Sequence, residues 1–202
     1  MKNVLILFFV IFSIPSARAQ SYADSIERYR ESYRQEFIDH EHSPLSVQDT
    51  SFLRFFAPDI KYRVTAELKL TPEATPFKIP TSSGKSKTYR KYGVLNFTLR
   101  GEPCKLEVYE SPELMKKEEF KDHLFIPFKD LTNYEETYGG GRYLDVSRNE
   151  IVNHTIVIDF NKAYNPYCAY TDGYNCPIPP EANRLSLKIE AGEKMFGKKM
   201  HE

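Results

Sequence analysis

The 202-residue chain contains no tryptophan, only three cysteines and only nine glycines. Past its N-terminus it has no apolar run approaching the roughly 18 residues that a membrane-spanning helix needs. Neither sign of charge dominates, since 28 basic residues balance 28 acidic ones. That balance excludes the basic footprint of a nucleic-acid binder. No HExxH and no paired C-x-x-C is present, so a zinc site has no local signature. No G-x-S-x-G marks a serine nucleophile. A phosphate-binding loop is missing too, although IPTSSGKS at residues 79–86 ends like one. Ile79 stands where G-x-x-x-x-G-K-S requires its first glycine, and the following TYRKYGVLNFTL alternates as a strand instead of opening a helix. The stretch reads as a β-turn at Gly84 with Ser82, Ser83 and Lys85 in solvent, against an anion site built from Lys85, Lys87 and Arg90. No nucleotide is expected.

What is present begins with MKNVLILFFVIFSIPSARAQ. Lys2 supplies a positive n-region, residues 4–14 form a short apolar core, and Ala17, Arg18 and Ala19 fit the small-x-small pattern of a cleavage site. Residues 1–19 are therefore expected to be a signal peptide, and residues 20–202 a single secreted or periplasmic domain. The membrane would be met only through the cleaved leader. Loss of Lys2 and Arg18 turns 28 basic residues into 26 against 28 acidic, a net charge of about −2.

Residues 21–42 place Tyr22, Ile26, Tyr29, Tyr33 and Phe37 at three- and four-residue steps, which predicts an amphipathic helix docked over a sheet. Ser21 and Asp24 suggest its start and Pro44 its stop. After residue 60 the period changes to two. YRVTAELKL, GVLNFTL, CKLEVYE, TIVIDF and RLSLKI alternate, with TPEATP, GEP, ESPEL and YNPY as turn chemistry between them. The expected fold is mainly β: one antiparallel barrel or barrel-like sandwich of about eight strands, with the N-terminal helix and one short extra helix at 111–122.

Five stretches then stand out together: FLRFFAPDIKYRVTAEL, PFKIPTSSGKSKTYRKYGVLNFTL, YEETYGGGRYLDV, IVIDFNKAYNPYCAY and NCPIPPEANRLSLKIEAGE. In this order, over roughly residues 50–193, they resemble the uncharacterised bacterial family called domain of unknown function 1684. The resemblance implies no reaction, cofactor or catalytic set.

Polar groups concentrate in three of those stretches. Arg142 follows three glycines and is suited to gripping a carboxylate or phosphate, or to pairing with a structural carboxylate beside a tight hairpin. Asp159 and Asn161 share one face of a strand end, followed by Tyr164 and Asn165. If the strands curl into a barrel, Tyr138, Arg142, Asp159, Asn161, Tyr164, Asn165 and Arg184 meet at one mouth and hold a small polar or anionic ligand. Cys168 and Cys176 suggest a disulfide stapling the intervening loop, and Cys104 a buried free thiol. The alternatives are a hydrolase or a thiol- or metal-dependent enzyme using the same cluster, with Cys168 beside His123 or His154, and a structural or protein-interaction protein of the envelope. Neither a metal nor a cofactor is assigned.

Overall fold

The structure, a computed structural model, describes residues 17–198. The apolar core of the expected signal peptide, residues 4–14, lies outside the described residues. Helix α1 spans Ala17–Asp39, starting before the expected Ser21 and stopping short of residue 42. Gln20 bonds its side chain to Asp24 at 2.8 Å, so Asp24 acts inside the helix instead of capping its start. Cleavage after Ala19 would leave the apolar stripe whole. Ile26, Tyr33 and Phe37 are buried on that stripe, and Arg30 joins them. The Arg30 guanidinium lies 4.7 Å from the Phe55 ring centroid and donates to the Phe56 carbonyl, so a charged residue serves the docking face. Among the described residues no helix is long and apolar enough to cross a membrane.

The strands are β1 (Arg63–Leu70), β2 (Phe77–Pro80), β3 (Ser86–Leu99), β4 (Glu102–Glu110), β5 (His123–Phe128), β6 (Arg142–Ser147) and β7 (Thr155–Asp159). They form one antiparallel seven-stranded sheet in the order β6-β5-β4-β3-β1-β7, with β2 hanging on β3. The sheet curls into a half-barrel, and its terminal strands β6 and β7 do not pair. The main core fills the concave side. Ala66 and Leu68 of β1 meet Leu95, Phe97 and Leu99 of β3, Leu106 and Val108 of β4, and Ile156 and Ile158 of β7, as the two-residue period predicts. Cys104 is buried among them as a free thiol.

Two expected elements take other forms. RLSLKI makes no strand; Leu185 and Ile189 are buried in the same core, and the segment runs extended beside residues 129–131, with Leu185 N–H donating to the Lys129 carbonyl and Leu131 N–H to that of Leu187. The helix at 111–122 is instead a pair of 3₁₀ turns, Leu114–Lys116 and Glu118–Phe120, although the Ser111 hydroxyl does accept from Leu114 N–H. The IPTSSGKS stretch is the β2–β3 hairpin, with Gly84 at φ +76°. Its serines are more than solvated: Ser82 accepts from Cys176 N–H, and Ser83 donates to Asn175 at 2.6 Å. The hairpin tip thereby docks on the loop that follows Cys168.

Candidate functional site

A β-bulge in β3 between Lys91 and Gly93 shifts the register against β4. One extra residue turns the alternation over, so Tyr89 faces the opposite side of the sheet from Leu95. On that second side Tyr89, Tyr109, Phe125 and Tyr143 build a separate aromatic layer with Ile79. Tyr89 and Phe125 stack at 5.5 Å, and Phe125 meets Tyr143 edge-on at 4.8 Å. Strands β5 and β6 alternate between the layers. Leu124, Ile126 and Leu144 go to the main core, while His123, Phe125, Tyr143 and Asp145 go to the aromatic side.

Polar groups sit at the end of this aromatic wall. His123 Nε2 lies 2.8 Å from Asp145 Oδ1, since the two are diagonal neighbours on paired strands, Asp145 standing opposite Phe125 and His123 opposite Ser147. Tyr164 is fixed by a two-bond bridge to Tyr143, N–H to carbonyl in both directions at 2.9 and 3.0 Å. From there its hydroxyl donates to Asp145 Oδ2 at 2.6 Å. Burial first, then the neighbouring Asp145 charge, holds the Tyr164 phenol well above its ordinary pKa, so it stays a donor.

The remaining walls come from loops. Cys168 and Cys176 lie at disulfide distance and tie back the segment carrying Tyr174 and Asn175. The Tyr143 hydroxyl donates to the Pro177 carbonyl and anchors the far end of that segment. Leu114 and Phe120 of the 3₁₀ turns approach from the other side, and Lys87 stands at the β3 edge. Together they line an open cleft of about 330 Å³. A second lobe of about 500 Å³ lies toward α1 and shares Phe120, Asp145, Tyr164 and Tyr167 with the first. Chemically the first lobe offers ring faces, one carboxylate with lone pairs to spare, an imidazole and one ammonium at the rim.

The residues expected at a common mouth are divided among different places. Arg142 is wholly buried on the core side, where it bonds Asp130 at 2.8 Å and the carbonyls of Ile189 and Glu193 at 2.9 and 3.2 Å, together with that of Ala191. The glycine just before it serves the same packing: Gly141 sits at φ +95°, and a Cβ there would come 2.7 Å from the Phe128 carbonyl. Asp159 accepts the Tyr22 hydroxyl at 2.9 Å and so ties β7 to α1, beside a cavity it shares with Arg63, Lys162 and Asp145. Asn161 is buried against the backbone of Asp59, accepting its N–H at 2.9 Å and donating to its carbonyl at 2.8 Å. Asn165 donates its side chain to the Lys194 carbonyl at 2.8 Å. Tyr138 packs half-buried in the cluster under α1, and Arg184 pairs with Glu181 on the surface. Of the seven, Tyr164 alone lines the aromatic cavity. Arg142, Asn161 and Asn165 spend their polar groups largely on backbone partners, whereas Asp159 and Arg184 spend theirs on the side chains of Tyr22 and Glu181.

The sequence reading passed over Asp145, Tyr89, Phe125 and Tyr143, and considered His123 only as a partner for Cys168. Their signal, where there was one, was the alternation in RYLDVS, which puts Tyr143 with Asp145; HLFIPF is apolar on both faces and offered none for His123 and Phe125. Cys168 itself lies at disulfide distance from Cys176, and a cysteine in that bond has no thiolate to offer. Among the described residues no group of three or more His, Cys, Asp and Glu side chains is close enough to hold a metal ion.

Three comparisons bear on identity. The model of a family described as protein of unknown function (DUF1684) matches residues 49–194. No curated protein matches. Among solved structures, the solution NMR structure of an uncharacterized protein from gene locus rrnAC0354 of Haloarcula marismortui is 30% identical, with a TM-score of 0.66 over 88% of this chain and 96% of that one.

Proposed function

Because the chain belongs to the DUF1684 family, whose members are described only as being of unknown function, we propose from its own geometry that it binds a small ring-bearing molecule carrying a hydroxyl or amino group. The ring would lie in the aromatic cavity, against Phe125 and Tyr143, with its donor directed at Asp145. One observation carries this: an aromatic-walled space of about 330 Å³ ends on a carboxylate that both His123 and Tyr164 orient. Apolar walls with a few convergent polar groups are the usual composition of a ligand site. The anionic variant of the ligand draws no support from Arg142 or Arg184, one bonded to Asp130 and backbone carbonyls inside the core and the other paired on the surface. Lys87 is the cation left to serve it.

We also propose that the protein is exported. The leader pattern at residues 1–19 and the Cys168–Cys176 pair both support an oxidising destination. Intact-mass measurement on material from the periplasm or medium tests this, with a mature chain beginning at Gln20 as the expected result. A mass that still includes the leader refutes it.

For the ligand, the test is an NMR titration with 4-methylphenol and toluene. The phenol should shift the amides of Phe125, Tyr143 and Asp145 saturably and more tightly than toluene, and Asp145→Asn should narrow the difference. Absence of saturable shifts at this wall would sink the reading. The Asp145–His123 contact also favours a second reading, general-base catalysis by a carboxylate-supported imidazole. Turnover of an activated ester that His123→Gln abolishes would bring the enzyme forward.

A further inference from the structure

The second lobe of the cleft differs in chemistry from the first. Its walls are the rings of Tyr29, Tyr33 and Phe37 from α1, with Phe120, Tyr164 and Tyr167 opposite. Phe37 and Tyr167 face each other at 5.8 Å, and Tyr33 and Tyr164 at 6.2 Å, so the rings form a continuous surface. Three of the hydroxyls are spent on protein acceptors: Tyr33 on Glu193, Tyr164 on Asp145, and Tyr29 on the Lys162 carbonyl. What remains for an occupant is largely ring faces.

The charged groups that line the lobe are both carboxylates, Glu36 at its rim and Asp145 in the shared wall. Among the described residues no lysine, arginine or histidine pairs with Glu36. Burial, and then the charge of Asp145, raises the Glu36 carboxyl above its ordinary pKa, as expected of a partly buried carboxylate sharing a space with a like charge. One ring of the set already receives an ammonium, since Lys162 Nζ lies 5.2 Å from the centroid of Tyr29.

We infer that this lobe is a binding site for a small organic cation, an alkylated or quaternary ammonium group enclosed by the α1 and Tyr164–Tyr167 rings and neutralised by Glu36 and Asp145. Aromatic faces attract such a cation electrostatically, and a quaternary group needs no hydrogen-bond acceptor, so the outward-turned hydroxyls are no loss. The inference rests on the cleft being a ligand site. It adds the class of a second group, so that one molecule with a ring at one end and a cation at the other would span both lobes.

The test uses the purified full chain with choline and its neutral isostere, 3,3-dimethyl-1-butanol, followed by amide NMR shifts. Choline should shift Glu36, Phe37 and Tyr167 saturably, with the neutral isostere at least about tenfold weaker. Glu36→Gln, whose thermal midpoint serves as the folding control, should weaken choline by about threefold to tenfold and leave 4-methylphenol binding at Phe125 unchanged. Equal binding of the isostere, an unaltered choline affinity in Glu36→Gln, or no choline shift in this lobe overturns the inference. If 4-methylphenol still binds in that last case, the ring cavity stands and the cation lobe falls. If neither probe binds, both fall.

Discussion

Tyr164 and Asp145, 19 residues apart, share a 2.6 Å hydrogen bond that forms the partition between the two lobes of the cleft. The bond exists because a loop residue is clamped to β6 through Tyr143, which brings its phenol over the next outward-facing side chain on the same strand. Tyr164→Phe keeps the ring and deletes the bond. Its predicted cost is about 1 kcal/mol in urea unfolding, the ordinary value for one hydrogen bond. A double-mutant cycle with Asp145→Asn should show coupling of the same order; zero coupling would mean that the two residues are neighbours without being partners.

Arg142 is predicted to matter for stability far more than for any ligand. Its guanidinium joins β6 to Asp130 and to carbonyls of the C-terminal segment 189–193. Arg142→Met leaves Asp130 buried and uncompensated and should destabilise by about 3–5 kcal/mol. Arg184→Ala, on an exposed pair with Glu181, should leave the unfolding midpoint where it is. Parallel denaturation curves decide this, and similar small effects for both would contradict the buried network.

The Cys168–Cys176 link closes a loop whose ends are 8 residues apart in sequence. The chain-entropy estimate for so short a loop is about 2–3 kcal/mol. Cys168→Ser with Cys176→Ser should lower stability by that amount. It should also weaken 4-methylphenol more than choline, because Tyr174, Asn175 and Pro177 line the first lobe and not the second. Equal weakening of both probes would place the loop's influence elsewhere.

How much of this was legible follows from which signals are local. The alternation of Ala66 and Leu68, of Leu95, Phe97 and Leu99, and of Ile156 and Ile158 survives folding unchanged, so the mainly β architecture and the stripe on α1 could be read directly. HLFIPF hid as a strand because its residues are buried on both faces and Pro127 lies within it, leaving no polar alternation. RLSLKI alternates cleanly yet contributes only an isolated bridge, Arg184 to Lys129, since period two reports facing and not pairing. The site was hidden for two reasons. The bulge at Lys91–Gly93 inverts Tyr89 relative to Leu95, an event that single-sequence periodicity does not register. Asp145, His123 and Tyr164 meet through β5–β6 pairing and the Tyr143 bridge, both of which link distant stretches. Three of the polar residues that looked most functional, Arg142, Asn161 and Asn165, bond backbone groups of distant segments, and a backbone partner leaves no trace in a pattern of side chains.

Glu193 ties stability to pH. It is fully buried beneath α1, where one oxygen accepts from Tyr33 at 3.0 Å and from the backbone N–H of Asn165 at 2.9 Å, while Tyr170 donates to both oxygens. Burial pushes its carboxyl up to about 7 despite these donors, because desolvation of the charge outweighs them. The folded state therefore holds a proton that the unfolded chain releases near the ordinary value for glutamate. A raised folded pKa gives a contribution fully present below about pH 4.5 and lost as pH rises to about 7, flat beyond. The loss across that window is on the order of 3 kcal/mol at most. Glu193→Gln retains an acceptor for Tyr33 and Tyr170 but does not titrate. Unfolding free energies from pH 5 to pH 8 should thus fall more steeply for the wild type than for Glu193→Gln, and the two curves should run parallel above pH 7.5. If the variant keeps the wild-type slope, the proton belongs to another group and the carboxylate is ionised in its pocket of tyrosines.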